Sequence, residues 1–246
     1  MITPRPFFDA HLHIIDPCFP LIPNQGYLPE EFTVERYRRR VEALGVVVSG
    51  SFQGFDQDYL LHALKGLGPG FVGVTQIPHD TLDARVVELA ELGVRAVRFN
   101  LRRGGSANLE HLDTLARRVH EVAGMHTELY VDARDLDGIA STVAALPSVS
   151  VDHLGLHAEG LPTLLRLVEQ GVRVKATGFG RVDLDPFEAM RAVIEVDPTA
   201  LMVGTDLPST RARRPFADTD LELVAEAAGE HLDAVLHDNA AAFYRL

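Results

Sequence analysis

The chain has 246 residues, of which 46% are hydrophobic and 24% charged, a composition that excludes disordered, collagen-like and coiled-coil proteins. The net charge of −12, from 23 basic and 35 acidic residues, argues against a nucleic-acid partner, because phosphate binding needs a basic surface. A lone Cys18 excludes an internal disulfide and fits a reducing compartment.

The first six residues lack the basic region and apolar stretch of a secretory signal, and no apolar run approaches the ~20 residues that a membrane span needs. We therefore expect a cytoplasmic protein with one domain over residues 1–246. It should act on a small molecule, have no membrane partner, and be a monomer or a small homo-oligomer.

Short β-rich runs alternate with amphipathic helical patterns along the chain. The β-rich runs begin near Phe7, Val46, Phe71, Ala96, Thr127, Ser150, Val172 and Leu201. The helical patterns cover Thr33–Leu44, Asp56–Leu67, Leu82–Leu92, Leu109–Ala123, Leu136–Leu146, Leu161–Gln170, Phe187–Glu195 and Thr219–Ala228. Eight strands that alternate with helices imply parallel pairing through crossover helices. The fold predicted is α/β, a single (β/α)8 TIM barrel, regular or distorted, with a doubly wound open sheet as the alternative.

The connection after the first strand, residues 14–32, is unusually long. It contains four prolines and a glycine, so little regular structure can form there. In a barrel this loop lies on the face where active sites are built, and we interpret it as a lid or pocket wall.

The first strand ends in Asp9-x-His11-x-His13. Side chains two apart share a face of a strand, so the spacing predicts that all three point into the barrel. Two imidazoles at the carboxyl end of a strand can hold a divalent metal or polarise a substrate carbonyl. Asp9 would orient a histidine or have a purely structural role.

Two more polar residues follow later strands. His153 comes after the sixth strand and would complete a cluster of three imidazoles. Asp206 comes after the eighth strand, where a carboxylate suits a general base that takes a proton from water. The alternative for Asp206 is an Asx-turn before Pro208.

The fourth strand places Arg98 and Asn100 inside the barrel. A buried guanidinium needs an anion, which would be a substrate carboxylate or, alternatively, an internal partner such as Glu128 or Asp132. Arg103 follows on the rim, and its role as a ligand contact stays open. Because arginine matches carboxylates bidentately, this locally basic rim predicts a carboxylated substrate.

Strands five and seven also place polar residues inward. Tyr130 shares the inner face of the fifth strand, and Lys175 on the seventh is predicted to be an interior ion-pair partner. Arg181 lies on the rim after the seventh strand, as a second anion contact or as an ordinary solvated arginine. No strand is followed by a glycine-rich nucleotide loop, so a nucleotide cofactor is not supported.

The ordered set formed by Asp9-x-His11-x-His13, His153 and Asp206 resembles the amidohydrolase superfamily. Gly93–Asn100 and Val203–Pro208 are similar to the signatures of its amidohydrolase-related family 2, in the branch of 2-pyrone-4,6-dicarboxylate lactonases. The resemblance covers nearly the whole chain.

This resemblance implies a hydrolase that opens a small carboxylated lactone. Asp206 would activate water, and His11, His13 and His153 would stabilise the carbonyl oxygen. The carboxylates of the substrate would be held by Arg98, Tyr130, Arg181, Tyr27 and, through a hydroxyl, Ser51.

Departures from the superfamily bear on the cofactor and the substrate. Asn100 and Tyr130 stand where relatives that bind two metal ions have ligands. We therefore expect that the protein either requires no metal or binds one divalent ion, with zinc as the first candidate. Such a single ion would sit at His11, His13, His153 and Asp206. Gln53 and Ser209 stand where relatives often have histidine, which leaves the exact substrate open.

The same residues fit two alternatives to the lactonase. One is a mononuclear zinc-dependent amidohydrolase or decarboxylase. The other is a non-catalytic homologue that binds dicarboxylates.

Overall fold

The computed structural model describes residues 7–246, which form eight parallel strands in the order β1 to β8 with helices between them. The strands are β1 Phe8–Leu12, β2 Leu44–Val48, β3 Phe71–Thr75, β4 Val94–Asn100, β5 His126–Tyr130, β6 Val149–Val151, β7 Arg173–Ala176 and β8 Leu201–Val203. The α-helices are α1 Val34–Arg40, α2 Asp58–Leu67, α3 Asp83–Glu91, α4 Leu112–Ala123, α5 Ala140–Ala145, α6 Leu161–Val168, α7 Pro186–Val196, α8 Asp218–Ala228 and α9 Asn239–Tyr244. The predicted TIM barrel is confirmed. The prediction about a secretory signal falls on residues 1–6 and lies outside the described residues.

The local sequence explains these elements well. Every strand begins within two residues of its predicted start. Helix α4 buries Leu112, Leu115, Ala116 and Val119 at helical spacing, and it ends where Gly124 adopts a left-handed conformation (φ 62°).

The helix assignments differ from the structure in three places. The helix predicted over Leu136–Leu146 is α-helical only over Ala140–Ala145 and is preceded by a 3-10 helix, Ala133–Gly138. The first helix ends at Arg40 rather than Leu44, because Val41 is extended and Leu44 already begins β2. A further helix, α9, was not predicted. Its last residue, Tyr244, is fully buried and stacks on Phe8 with ring centroids 6.2 Å apart, so α9 closes the floor of the barrel.

The seam between β1 and β8 is closed by a few specific bonds. Asp206 N donates to His11 O at 2.7 Å, and His13 N donates to Leu207 O at 2.7 Å. The Asp9 carboxylate accepts from Thr205 N at 2.8 Å and from Thr205 Oγ1 at 2.7 Å. These contacts join the two ends of the sheet into a nearly closed barrel.

The prediction that Asp9 points into the barrel with the two histidines is wrong. The β1–β2 register shifts between Asp9 and Leu12, which breaks the alternation of faces. Asp9 instead turns toward α1, where Tyr37 Oη donates to it at 3.0 Å. Burial raises the pKa of Asp9 to about 6, although its hydrogen bonds favour the charged form. Its role is to fasten the seam.

The barrel interior has an apolar lower layer and a charged upper layer. The lower layer is formed by Phe8, Ala10, Val46, Val48, Val72, Val74, Ala96, Met202, Ala240 and Tyr244. Above it lie two cations and two carboxylates, each at most 3% exposed: Arg98, Glu128, Asp152 and Lys175. The four formal charges cancel, which is what a desolvated cluster requires.

The cluster is tightly bonded. Lys175 Nζ donates to Glu128 Oε2, and Tyr244 Oη donates to the same oxygen at 3.2 Å. Arg98 donates to Asp152 Oδ2 through Nε at 3.1 Å and Nη2 at 2.7 Å. Burial, reinforced by Asp152, raises the pKa of Glu128 to about 7 against the opposing effect of the two cations.

The predicted interior role of Lys175 is confirmed. Arg98 has the internal ion pair that was its alternative, with Asp152 as the main partner and Glu128 Oε1 3.4 Å away. Asp132, the other partner considered, instead pairs with Arg134 at 2.8 Å on the rim.

We predict that Lys175→Met lowers the free energy of unfolding by about 3–5 kcal/mol, because Glu128 loses its bonded cation and the buried cluster keeps one carboxylate in excess. Lys175→Met/Glu128→Leu should recover much of this loss. Denaturant unfolding measures both variants, and Lys65→Met, at the exposed second lysine of the chain, is the control. A Lys175→Met protein as stable as wild type would contradict the assignment.

Candidate active site

A cavity opens at the carboxyl ends of the strands, above the charged layer. It is lined by His13, Gly50, Ser51, Phe52, Arg98, Asn100, Arg103, Tyr130, His153, Arg181, Thr210 and Arg211. His11 and Asp206 lie beside this cavity and are fully buried. The structure therefore brings most of the predicted site residues to one place.

The three histidines form a compact group. The ring centroid of His11 lies 5.0 Å from that of His13 and 4.9 Å from that of His153. His153 and Asp206 both adopt left-handed backbone conformations, with φ of 53° and 58°. Such conformations are costly for residues with a Cβ and concentrate at functional sites, where the surrounding fold enforces them.

His13 and His153 commit their Nδ1 atoms to backbone carbonyl oxygens. His13 Nδ1 lies 2.7 Å from Val48 O, and His153 Nδ1 lies 3.3 Å from Thr177 O. His11 Nδ1 lies between two charged groups, 3.3 Å from Asp152 Oδ1 and 3.4 Å from Lys175 Nζ. Because a carbonyl oxygen only accepts, Nδ1 carries the proton in His13 and His153, and in a neutral ring the Nε2 lone pair is left free.

Burial keeps two of these rings neutral. It lowers the pKa of His153 to about 3, helped by the nearby Arg181. It also lowers the pKa of His11 well below its usual range, against the opposing pull of Asp152. With Nδ1 protonated, the neutral His153 ring is a base or a metal ligand at Nε2, and not a hydrogen-bond donor there.

Asp206 has one oxygen bound and one free. Its Oδ2 accepts from Arg181 through Nε at 2.9 Å and through Nη2. Its Oδ1 has no hydrogen-bond partner within residues 7–246 and lies 3.6 Å from His13 Nε2 and 3.9 Å from His11 Nε2. Burial alone would raise the pKa of Asp206, but the Arg181 guanidinium, aided by His153, holds it well below its usual range.

This donor set fits one divalent cation. His11 Nε2 and Asp206 Oδ1 are buried atoms that lack a partner in the described part of the chain, and they face each other. Zinc bonds of ~2.0–2.1 Å place tetrahedral ligands ~3.4 Å apart, close to the separations seen here. His11, His13 and Asp206 form one possible ligand group, whereas His153 groups with His11 and Asp152.

The residues predicted to bind substrate carboxylates differ in how many of their hydrogen-bond donors are already bound within the protein. Arg98 lies on the cavity floor with its donors already bound by Asp152 and by Ser49 O at 2.9 Å. Its guanidinium also lies 5.1 Å from the centroid of the Tyr130 ring. Direct contact between Arg98 and substrate stays a prediction.

Ser51 lines the cavity, while Tyr27 lies at its rim beneath Arg211, 4.5 Å from guanidinium carbon to ring centroid. Through Tyr27, the loop after β1 packs against the cavity-lining Arg211, and contact of Tyr27 with substrate stays a prediction.

The side chains of Gln53 and Ser209 form hydrogen bonds with backbone atoms of nearby loops. The Gln53 side chain accepts from Gly50 N at 2.7 Å and donates to Ile14 O at 2.8 Å. Ser209 Oγ accepts from Phe216 N at 2.9 Å. These departures therefore support the walls of the pocket.

Two site residues were missed from the sequence. Asp152, directly before His153, is the carboxylate that orients His11. Arg211 lines the cavity from the loop after β8. Its only sequence signal is an arginine-rich run at positions 211, 213 and 214.

Comparison with known proteins places these observations in a family. The amidohydrolase family model matches residues 8–246. The 2-pyrone-4,6-dicarboxylate hydrolase of Comamonas testosteroni is 28% identical over 247 residues, which cover 87% of this chain and 80% of that protein.

Solved structures share the fold. A probable 2-pyrone-4,6-dicarboxylic acid hydrolase from Acinetobacter baumannii, solved with citric acid bound, superposes with a TM-score of 0.84 at 20% identity and covers 98% of this chain and 100% of its own. A protein from Agrobacterium tumefaciens gives a TM-score of 0.84 at 21% identity, covering 99% and 97% of the two chains. Among residues 7–246, no helix is long and apolar enough to cross a membrane.

We predict that metal-free protein takes up one equivalent of Zn²⁺, because three protein atoms already converge with free lone pairs. At 100 times its dissociation constant, the ion should add about 2.7 kcal/mol to the free energy of unfolding. His13→Asn should abolish this gain, whereas His157→Asn, at a rim histidine bonded to Arg134, should keep it. Thermal melts with metal analysis test this, and equal uptake by His13→Asn would refute the site.

Proposed function

This chain belongs to the amidohydrolase family and is a hydrolase, and from that premise we propose that it opens a small lactone bearing carboxylates, of the 2-pyrone-4,6-dicarboxylate class. The observation that carries the proposal is the free Oδ1 of Asp206, set beside three imidazoles at a cavity lined by four arginines.

The charge of the cavity supports an anionic substrate. Its arginines are Arg98, Arg103, Arg181 and Arg211, and none of its lining residues described here is acidic. In a protein of net charge −12, this is a strong local reversal. Guanidinium groups bind carboxylates bidentately, so the wall selects for substrates that carry them.

In the proposed mechanism, Asp206 Oδ1 takes a proton from water, and the water oxygen bonds to the lactone carbonyl carbon. The ring C–O bond then breaks, and Asp206 returns its proton to the leaving oxygen. Arg181 keeps Asp206 ionised at neutral pH but weakens it as a base. Transfer of Arg181 to a substrate carboxylate would restore that basicity at the moment of binding.

Stabilisation of the carbonyl oxygen needs a positive group. Neutral histidines with Nδ1 committed cannot donate from Nε2, so either a ring takes up a proton beside the Asp206 carboxylate or one divalent ion is present. His11, His13 and Asp206, with His153 next to them, would hold such an ion, which supplies Lewis-acid polarisation of the carbonyl. The free lone pairs also favour the second candidate function, a mononuclear zinc-dependent amidohydrolase or decarboxylase.

The proposal includes a cytoplasmic location and no partner beyond the substrate and copies of the chain. An exposed, unpaired Cys18 suits a reducing compartment. Assembly as a monomer or small homo-oligomer belongs to the same proposal.

We predict that Asp206→Asn lowers hydrolysis of a panel of mono- and dicarboxylated lactones by roughly 10²–10⁴-fold, because the amide cannot accept the proton. Asp183→Asn, at a rim carboxylate paired with Arg213, is the matched control and should keep full activity. Steady-state hydrolysis rates of the two variants and the wild-type protein test this prediction. Full activity in Asp206→Asn would refute the base, and dicarboxylate binding without turnover of any lactone would indicate a non-catalytic homologue.

Metal removal separates the two candidate functions. We expect chelated protein to keep its lactone hydrolysis, because the proposed base, Asp206, belongs to the chain itself. Activity that disappears on chelation and returns with one equivalent of zinc would assign the second candidate instead.

A further inference from the structure

A second cleft lies at the amino ends of β5 to β8, on the face of the barrel opposite to the active-site cavity. Its walls are the C-terminus of α4, the first residues of β5 and β7, and α9. The basic side chains that line it are His120, His126, Arg173 and Arg245. Among the described residues, Asp238 is the one acidic lining residue, and it lies 3.0 Å from His237 Nδ1. The cleft is therefore locally basic in a chain of net charge −12.

The two arginines of this cleft differ in their partners. Arg173 is neutralised, because its Nη1 donates to Asp197 Oδ2 at 2.9 Å and to Thr199 Oγ1 at 2.8 Å. The exposed guanidinium of Arg245 forms no ion pair and donates no hydrogen bond within residues 7–246. It lies against Gly124, where a Cβ would come 2.6 Å from Arg245 Nη1. The glycine that ends α4 thus leaves space for a guanidinium whose donors are all available.

A third arginine without a counter-ion lies near Arg245. Arg95, the second residue of β4, donates through Nη1 to Ala90 O at 2.9 Å and to Val94 O at 3.2 Å. Within the described chain, no carboxylate forms an ion pair with it. Burial, and after it the charge of Arg245, lowers the pKa of Arg95. Two cations held close together without an anion repel each other, so an anion shared between them would be stabilised.

His126 adds a buried polar group that lacks a partner. The residue is 5% exposed, and its Nε2 has no hydrogen-bond partner in the part of the chain described. Its ring packs on Phe243 with centroids 4.2 Å apart. Burial lowers the pKa of His126 well below its usual range, and the charges of Lys175 and Arg245 act in the same direction. A buried polar atom without a partner is costly, which is expected where a ligand completes the site.

The cleft is joined to the charged layer of the barrel through α9. Tyr244, the last residue of α9, donates to Glu128 Oε2 at 3.2 Å, and Arg245 follows it directly. A π-helix, Ala234–Asp238, precedes α9 and ends in the wall of the cleft. Such π-helices are rare and often accompany functional sites. An anion bound by Arg245 would fix the residue next to Tyr244 and so hold α9 against the barrel floor.

We propose that this cleft binds a small phosphate-type oxyanion through Arg245, Arg95 and the imidazole of His126, and that the bound anion stabilises α9. Phosphate matches these groups because arginine binds it bidentately and one dianion neutralises two guanidinium groups. The exposed position of Arg245 leaves room for free phosphate or for the phosphate group of an ester. The proposal is independent of the lactonase function.

The test follows a reporter inside the cleft, with inorganic phosphate as the first probe. In protein labelled with ¹³C in its histidine rings, phosphate at constant ionic strength should move the NMR signal of His120 to saturation, and His120→Gln identifies that signal. Arg245→Gln should raise the dissociation constant read from His120 at least tenfold, Arg95→Gln should also weaken binding, and Arg245→Lys should keep part of the affinity. Arg191→Gln, at an exposed arginine on α7 paired with Glu195, is the control and should bind as wild type.

Thermal melts and hydrogen exchange separate this cleft from the active-site cavity, which also contains arginines. Phosphate should raise the melting temperature of the wild-type protein and slow amide exchange in α9, and both effects should be lost in Arg245→Gln. A His120 signal that does not respond to phosphate, or the same dissociation constant in wild type and Arg245→Gln, would overturn the site. An equal gain in melting temperature in both proteins would place the phosphate in the active-site cavity instead.

Glycerol 3-phosphate distinguishes the two sources of the anion. Tighter binding of this ester than of inorganic phosphate would identify an organic phosphate as the occupant, and the reverse order would identify the free ion. Lactone hydrolysis is a separate measurement, and Arg245→Gln should keep the wild-type rate because no residue proposed for the reaction lines this cleft. Phosphate binding at His120 in a protein that hydrolyses no lactone would keep this site and refute the lactonase.

Discussion

The need to neutralise four buried charges governs the interior of this barrel. Arg98, Glu128, Asp152 and Lys175 come from β4, β5, the end of β6 and β7, and they are desolvated together. Removing any one leaves a partner charge unpaired at a cost of several kcal/mol, so each fixes the position of the others. These four side chains therefore hold the cavity floor in one arrangement. Because Asp152 also contacts Nδ1 of His11, the same arrangement helps to position the His11 ring.

The seam between β1 and β8 positions the remaining site residues. Backbone bonds between His11 and Asp206 and between His13 and Leu207 close the barrel where the histidines and the carboxylate must meet. Asp9, fixed by Thr205 and Tyr37, holds the same seam from the helix side. Closure of the fold and assembly of the site are thus one event, and the strained backbone at Asp206 is held by the contacts that close the sheet.

The features that the sequence predicts well are those whose signal lies within one short stretch of the chain. Strand and helix positions depend on hydrophobic periodicity and on capping residues, so the predicted positions agree with the structure to within a few residues. The alternation of side chains along β4 correctly predicted that Arg98 lies inside the barrel. Asp9 was misplaced because a register shift against the neighbouring strand breaks that alternation, and nothing in the sequence of β1 marks it. The partner of Arg98 and the role of Arg211 depend on which loops meet in space, a relation that no single stretch of chain contains.

The position of Tyr244 has a consequence for how the chain matures. Its hydroxyl donates a hydrogen bond to Glu128 Oε2, and its ring covers the barrel floor against Phe8. During synthesis on the ribosome, the strands from β1 to β7 emerge long before this residue, with their interior charges incompletely satisfied. Because Tyr244 supplies the last contact to this interior cluster, we expect the final cooperative folding step to follow the release of α9 from the ribosome.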